Sequence, residues 1–304
     1  MADLLDCAAP LPSYHHGDFT LESLLAAKGA RRVVVCIPAR DEEATIASIV
    51  STITARLAEP SGGRNAGHRW VRPPPLVDEV LVVDDGSMDN TGEAALRAGA
   101  VVVRGPGLGK GEAMRLARGR GDIVVYLDGD VVNFGAHFVI GLLGPMLLRP
   151  ETVMVKGCYA RPLGATAATA GGGRVTELVA KPLLALLFPE LAWISQPLAG
   201  ETALRADLLE QLELAPAYGV EMGLLIDVWR HYGQGAIAEV DLDERVHRNR
   251  PLHELASQAR DVMMAALSRC GVGNGFASFP AAALDLEAGQ LAATLPAAAD
   301  PGGQ

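Results

Sequence analysis

Four short apolar runs in the first half of the chain, at 33–37, 79–83, 100–103 and 123–127, each give way to a loop of charged or glycine-rich residues. Runs of this length, rich in valine and isoleucine and without polar alternation, form strands buried on both faces. Between them lie helical patterns: Ile46, Ile49, Val50, Ile53 and Leu57 recur at a helix's spacing, so 42–57 reads as strand, loop, helix. Pro38 is expected to stop the first strand, and 59–75, rich in Pro, Gly, Arg and Asn, is expected to be a surface loop. Strands alternating with helices fold into a mostly parallel, doubly wound α/β sheet flanked by helices, of the Rossmann-like type. Ligands in such sheets bind beyond the carboxyl ends of the strands, and the loops following these strands are acidic in three cases out of four.

The second half is less regular. A strand is expected at 152–158, a flexible stretch at 162–173, helices at 174–188 and 219–231, a strand at 236–240, and a C-terminal helical extension at 252–269. The chain therefore divides into a weakly periodic leader (1–30), a regular half (31–160), a second half with the C-terminal helices (161–270), and an Ala-, Gly- and Pro-rich tail (271–304) expected to be disordered.

Thirty-six acidic against 26 basic residues give a net charge of −10, and no basic stripe is present to track a nucleic acid. Any anionic substrate must then be met by a local cationic pocket or a metal. Cys7, Cys36, Cys158 and Cys270 are scattered in a chain too large to need disulfide staples, which reads as reduced, cytoplasmic thiols. No signal peptide is expected, since Met1-Ala2-Asp3 opens without a basic-then-apolar pattern, and no stable membrane insertion, because Asn133, His137, Lys181, Pro182 and Pro189 interrupt the most apolar stretches.

Five groups of residues carry possible chemistry. Asp128-Gly129-Asp130 directly follows a strand, where two carboxylates can approach a hard divalent ion such as Mg²⁺ or Mn²⁺ together with phosphate oxygens. The loops from Pro38 to Glu43 and from Asp84 to Ser87 hold acidic side chains that suit either ribose and base recognition or helix capping, and Asp41, Glu42 and Asp89 fit both roles. Gly107-Leu108-Gly109-Lys110-Gly111 lacks the spacing of a Walker loop, so Lys110 either reaches a nucleotide or a sugar or stands solvated beside a tight turn. Glycines before Arg174, Val175 and Thr176 leave backbone N–H groups open at a helix start, where a phosphate or carboxylate fits as well as a simple capped helix does. Finally, Arg245, His247 and Asn249 lie in the one dense basic cluster; His247 is either a third metal ligand or a surface residue.

The order of these motifs resembles the GT-A glycosyltransferases and, among them, the glucosyl-3-phosphoglycerate synthases and related mannosyl enzymes of actinobacteria. The matching pieces run from I-P-A-R-D-E-E-A-T-I (37–46) through V-D-D-G-S (83–87), G-K-G-E-A (109–113), L-D-G-D (127–130), V-K-G (155–157), G-G-G-R-V-T-E-L (171–178), Q-P-L-A-G-E (196–201) and Y-G-V-E (218–221) to H-R-N (247–249). The resemblance implies that Pro38, Ala39, Glu42, Asp85 and Lys110 hold UDP. It assigns the metal to Asp130 and His247, with Asp128 and Gly129 beside it. Leu198, Ala199, Gly200 and Glu221 would line the sugar pocket, and Gly173, Arg174, Val175 and Thr176 would take 3-phosphoglycerate, joined by Arg245 and Asn249. Arg40 and Asp85 differ from the residues of some relatives, so a GDP-linked donor stays open beside UDP-glucose.

The reaction so implied is a retaining transfer of glucose from UDP-glucose to the C2 hydroxyl of 3-phosphoglycerate by a cytoplasmic homodimer dependent on Mg²⁺ or Mn²⁺. Lys110, Asp128, Asp130, Glu221 and His247 would carry the chemistry. Mannosyl or dual-specificity transfer is the nearest alternative. A nucleotidyltransferase is more remote, since no glycine-rich, Arg- or Lys-containing triphosphate loop directly follows the first strand.

Overall fold

The computed structural model describes residues 12–58, 75–160, 173–246 and 255–271. Uniformly apolar strands have no face to offer water, and the fold covers both. In β2 (Val33–Ala39) the side chains of Val33, Val35 and Ile37 pack with Ile46, Ile49 and Ile53 of α2 (Glu43–Arg56). Val34 and Cys36 point to the opposite layer, with Met114 of α4 (Lys110–Arg115) and with α8 (Val220–Tyr232).

Eight strands form one sheet. Besides β2 they are β1 (Ser13–His15), β3 (Glu79–Asp84), β4 (Val101–Arg104), β5 (Ile123–Tyr126), β6 (Met154–Ala160), β7 (Thr202–Arg205) and β8 (Ile237–Glu244). Their order is β1-β8-β6-β7-β5-β2-β3-β4, parallel throughout except for β7, which runs antiparallel between β5 and β6. The helices α1 (Leu21–Lys28), α3 (Thr91–Arg97), α5 (Ala136–Leu148), α6 (Lys181–Leu187), α7 (Asp207–Gln211) and α9 (Leu255–Arg269) complete the described fold. The expected mostly parallel α/β sheet is present, and the tips of β2, β3 and β5 lie side by side.

Pro38 does not end its strand. It pairs in register with Val83, and β2 continues to Ala39. Pairing with β5 has already stopped at Cys36, so Pro38 occupies a stretch where one flank of the strand has no ladder to sustain. Three of the elements that left no readable period show why. The first, α5, is apolar nearly all round and buried, so no polar face marks its turns. The others, β1 and β7, are only three and four residues long. The loop at 59–75, the stretch at 162–173 and the tail at 271–304 lie outside the described residues apart from Pro75, Gly173 and Gly271, as do residues 1–11 of the leader.

Candidate active site

At the tip of β5 the chain turns through Asp128, Gly129 and Asp130. Gly129 lies against Ala39 and Glu42, whose side chains a Cβ there would meet at 3.4–3.6 Å, and its carbonyl accepts a hydrogen bond from Thr45 Oγ1 at 2.6 Å. The end of β2 and the aspartate turn are thus one surface, which joins Pro38, Ala39 and Glu42 to the proposed metal motif.

The neighbouring acidic loops are laced together. The amides of Glu42 and Glu43, at the start of α2, donate to Thr91 Oγ1 (2.8 Å) and Asp89 Oδ2 (3.1 Å), while Asp41 accepts from the Met88 amide at 2.7 Å. Asp89 and Thr91 therefore cap α2 from the adjacent loop, and the Glu42 side chain plays no part in capping. Asp85, 5 % exposed, takes the amides of Gly107 and Gly109 at 2.7 and 2.8 Å. Gly107 and Gly109 have φ of 75° and 97°, open to glycine at little cost, so Asp85 fixes the loop that launches α4 and Lys110.

Lys110 Nζ lies 2.6 Å from Asp128 Oδ1 and 2.6 Å from Glu221 Oε1, the latter at the start of α8. Burial alone would depress its pKa, but the two carboxylates more than reverse that, so Lys110 is firmly cationic. Arg245, just past β8 and 4 % exposed, places Nη2 2.8 Å from Asp128 Oδ2 and 2.9 Å from Asp130 Oδ1, with its guanidinium 5.3 Å above the Tyr159 ring. Gly200 makes room for this cluster: a Cβ on it would stand 2.1 Å from Asp128 Oδ1. The neighbouring Ala199 carbonyl accepts from buried Lys156 Nζ at 2.6 Å, and burial, helped by the charge on Lys110, lowers the Lys156 pKa to about 8.

Three carboxylates (Asp128, Asp130 and Glu221) thus meet two firmly charged cations (Lys110 and Arg245), while burial raises the pKa of Glu201 and favours its neutral form. Asp130 is 25 % exposed, and its Oδ2 has no partner among the described residues, whereas both Asp128 oxygens are engaged. A hard oxygen donor opening from an acidic pocket fits a divalent cation that also binds phosphate. His247 and Asn249 lie outside the described residues. Val246 is tied to the segment after the aspartate turn: the Val132 amide donates to the Val246 carbonyl at 2.9 Å, and the Val246 amide to Asn133 Oδ1 at 2.8 Å.

Arg245 is packed against the aspartates rather than open to an acceptor. Gly173, Arg174, Val175 and Thr176 form a separate group at the entry to a π-helical turn, Thr176–Ala180, which leads into α6 and packs against α9. Leu198 packs at the margin of the core. Sequence reasoning passed over Glu201 and Lys156, although both lie inside quoted motifs. Their signal was a lone charge in an otherwise apolar or small-residue run.

A second group of metal-capable side chains lies on the surface: His15 and His16 Nε2 contact Asp243 Oδ1 and Oδ2 at 2.9 and 2.6 Å. A metal-bound imidazole donates its other N–H to an acceptor. Here His15 Nδ1 instead accepts from the Gly17 amide at 3.0 Å, so Nε2 carries the proton and the trio is a hydrogen-bonded strap.

Comparison with known proteins bears on the fold and the family. The sequence profile of glycosyl transferase family 2 matches residues 34–155. The glucosyl-3-phosphoglycerate synthase of Mycolicibacterium paratuberculosis is 45 % identical over 275 residues, covering 86 % of this chain and 79 % of that protein. That of Mycolicibacterium smegmatis is also 45 % identical, with coverages of 86 % and 84 %. The crystal structure of the Mycobacterium tuberculosis enzyme in complex with Mn²⁺, UDP-glucose and phosphoglyceric acid superposes with a TM-score of 0.75 at 43 % identity, covering 87 % of this chain and 89 % of that one. The same enzyme has also been solved with Mn²⁺, UDP and glucosyl-3-phosphoglycerate, again with a TM-score of 0.75. With an α/β sheet, an aspartate turn at a strand tip and this degree of identity over most of its length, the chain belongs to the glucosyl-3-phosphoglycerate synthase family of GT-A glycosyltransferases.

Proposed function

We propose that this chain transfers glucose from UDP-glucose to the C2 hydroxyl of 3-phosphoglycerate with retention of configuration at the anomeric carbon. One observation carries the reading: Lys110, held 2.6 Å from both Asp128 and Glu221, stands beside the outward-facing Asp130 in a fold whose solved relative binds Mn²⁺, UDP-glucose and phosphoglyceric acid. Asp130 and His247 would hold Mg²⁺ or Mn²⁺, with Asp128 alongside. When bound, the ion supplies positive charge opposite the departing UDP. Lys110, always protonated, adds a second fixed charge there without reorganisation.

Pro38, Ala39 and Glu42 border the nucleotide in this reading, and Asp85 acts through the glycine loop. Leu198, Ala199 and Gly200 wall the sugar, and Glu221, oriented by Lys110, accepts its hydroxyls. Arg174 and Thr176, with the Gly173 and Val175 backbone and Asn249, receive the phosphate and carboxylate of the acceptor. Glu201 is sealed from solvent, Glu221 is tied to Lys110, and burial pushes the Cys36 and Cys158 thiols up to about 12, so among the described residues none of these side chains stands ready as a covalent nucleophile. Attack on the same face as the leaving group follows: the C2 oxygen bonds to the anomeric carbon as the bond to UDP breaks, and a UDP phosphate oxygen takes the hydroxyl proton.

We further infer a cytoplasmic homodimer. Free Cys36, Cys158 and Cys270 support the compartment, and among the described residues no helix is long and apolar enough to cross a membrane. Exposed Leu178 and Leu186 near α6, and Met263 and Met264 on α9, offer apolar area for pairing. A matrix of UDP-glucose or GDP-mannose against 3-phosphoglycerate or no acceptor, with and without Mg²⁺, tests the reaction. Metal-dependent UDP release only with UDP-glucose and 3-phosphoglycerate is expected, and preference for GDP-mannose would refute the donor.

A further inference from the structure

Glu201, at the turn before β7, has no part in the chemistry above. Its carboxylate is fully buried, yet among the described residues neither oxygen accepts a hydrogen bond. Arg245 Nε lies 3.0 Å from Oε1, within ion-pair range, but its N–H points past both oxygens, and that Nε also lacks a hydrogen-bond partner. A buried carboxylate in this condition is costly, and such a group calls for a reason beyond packing. The other edge of the same guanidinium is well used, because Nη2 bridges Asp128 and Asp130 at 2.8 and 2.9 Å. One edge of the guanidinium thus bonds the aspartates, while the other lies in ion-pair range of Glu201 without a hydrogen bond to it.

We propose that Arg245 is the internal counter-ion of the aspartate pair, that it gives way when a divalent cation takes Asp130, and that Glu201 is the positioning residue that receives the displaced guanidinium. The exchange needs only a small turn of the guanidinium plane, since Nε is already at contact distance from Glu201 while Nη2 holds the aspartates. Tyr159 beneath the guanidinium gives the cation a surface on which to swing. Arg245 then keeps a carboxylate partner in both states, and Glu201 gains the hydrogen bonds it lacks in this one. A consequence is that the aspartates do not bind a free cation at full strength, because each binding event must first displace an arginine. The inference rests on Asp130 as the cation ligand.

Binding of Mn²⁺ alone to the full chain, without nucleotide, tests it through the electron paramagnetic resonance signal of the free ion. The paired substitution Arg245→Gln with Glu201→Gln removes the guanidinium together with the buried acid that faces it. It should tighten Mn²⁺ binding by about tenfold or more, as removing a cation a few ångströms away requires. Glu201→Gln alone should weaken binding by about threefold or more, because the arginine loses its second partner. An unchanged or weaker affinity in the paired variant, or a tighter one in Glu201→Gln, overturns the exchange. Asp130→Ala separates the two readings: if it leaves Mn²⁺ binding intact, the cation site itself is wrong. Should the variants fail to fold, the ¹⁵N resonance of Arg245 Nε in the unaltered chain, identified by its loss in Arg245→Lys, must shift as Mg²⁺ saturates the protein. A stationary resonance contradicts the proposal.

Discussion

At the scale of single residues, the site depends on groups whose neighbours leave them no alternative state. Lys110 is held protonated by Asp128 and Glu221, so its function is a fixed positive charge and not proton transfer. Lys110→Met should therefore lower kcat by about 10²–10³ with a smaller change in KM, the cost of losing one preorganised charge at a leaving group. Steady-state kinetics with UDP-glucose and 3-phosphoglycerate would check this, and a loss confined to KM would show a role in ground-state binding only. Gly200 makes a different kind of demand. A methyl group there would collide with the Asp128 carboxylate, so Gly200→Ala should destabilise the fold by about 1–3 kcal/mol and misplace the aspartate. Thermal unfolding alongside activity measures both, and a fully active, equally stable variant would contradict the close approach.

At the scale of elements, the strap from β1 to β8 makes stability depend on pH. His15 is raised by its hydrogen bond to Asp243 against the cost of desolvation, with the charges of Asp243, Asp241 and Asp18 adding, and Asp243 is lowered by the bonds from His15 and His16. A raised histidine stabilises below its unfolded value of about 6.5 and loses that contribution as pH climbs through its folded value. A lowered aspartate stabilises above about 3.9 and loses its contribution as pH falls through its folded value. The strap is then strongest between about pH 4 and 6.5. His137, stacked on His16 and lowered by burial and by the charge on His16, works against it at the acid end. The gap in Tm between the unaltered chain and Asp243→Asn should be wider at pH 5.5 than at pH 8, and a constant gap would rule the strap out. This strap could not be read from sequence, because it joins residues more than 200 positions apart through a three-residue edge strand. The long β-branched strands and the aspartate turn were legible, since each declares its environment locally. By contrast, α5 and β7 were not, the one lacking a polar face and the other being too short for a period. Among the site residues, the aspartates and Lys110 stood out by position after a strand, but the burial of Arg245 and the isolation of Glu201 exist only once β6, β7 and β8 are assembled.

At the scale of the whole molecule, the sheet places the acidic turn after β5, beside the tip of β2, against the exit of β8, so the aspartates and Arg245, far apart in sequence, share one site. A paired assembly through the exposed leucines is expected to persist in solution. Light scattering after gel filtration should give twice the mass of the 31.8 kDa chain, and Leu178→Lys with Leu186→Lys should reduce it to one. A monomer before substitution would refute that assembly. The claim on which the rest depends is that Asp130 presents a cation to the sugar nucleotide. Its most direct test is UDP release from UDP-glucose and 3-phosphoglycerate by chelator-treated protein as Mn²⁺ is added back, for the unaltered chain and for Asp130→Ala. Turnover should return with Mn²⁺ in the first and remain at least about 10²-fold lower in the second; recovery of normal turnover by Asp130→Ala, or full activity before any metal is restored, would contradict it.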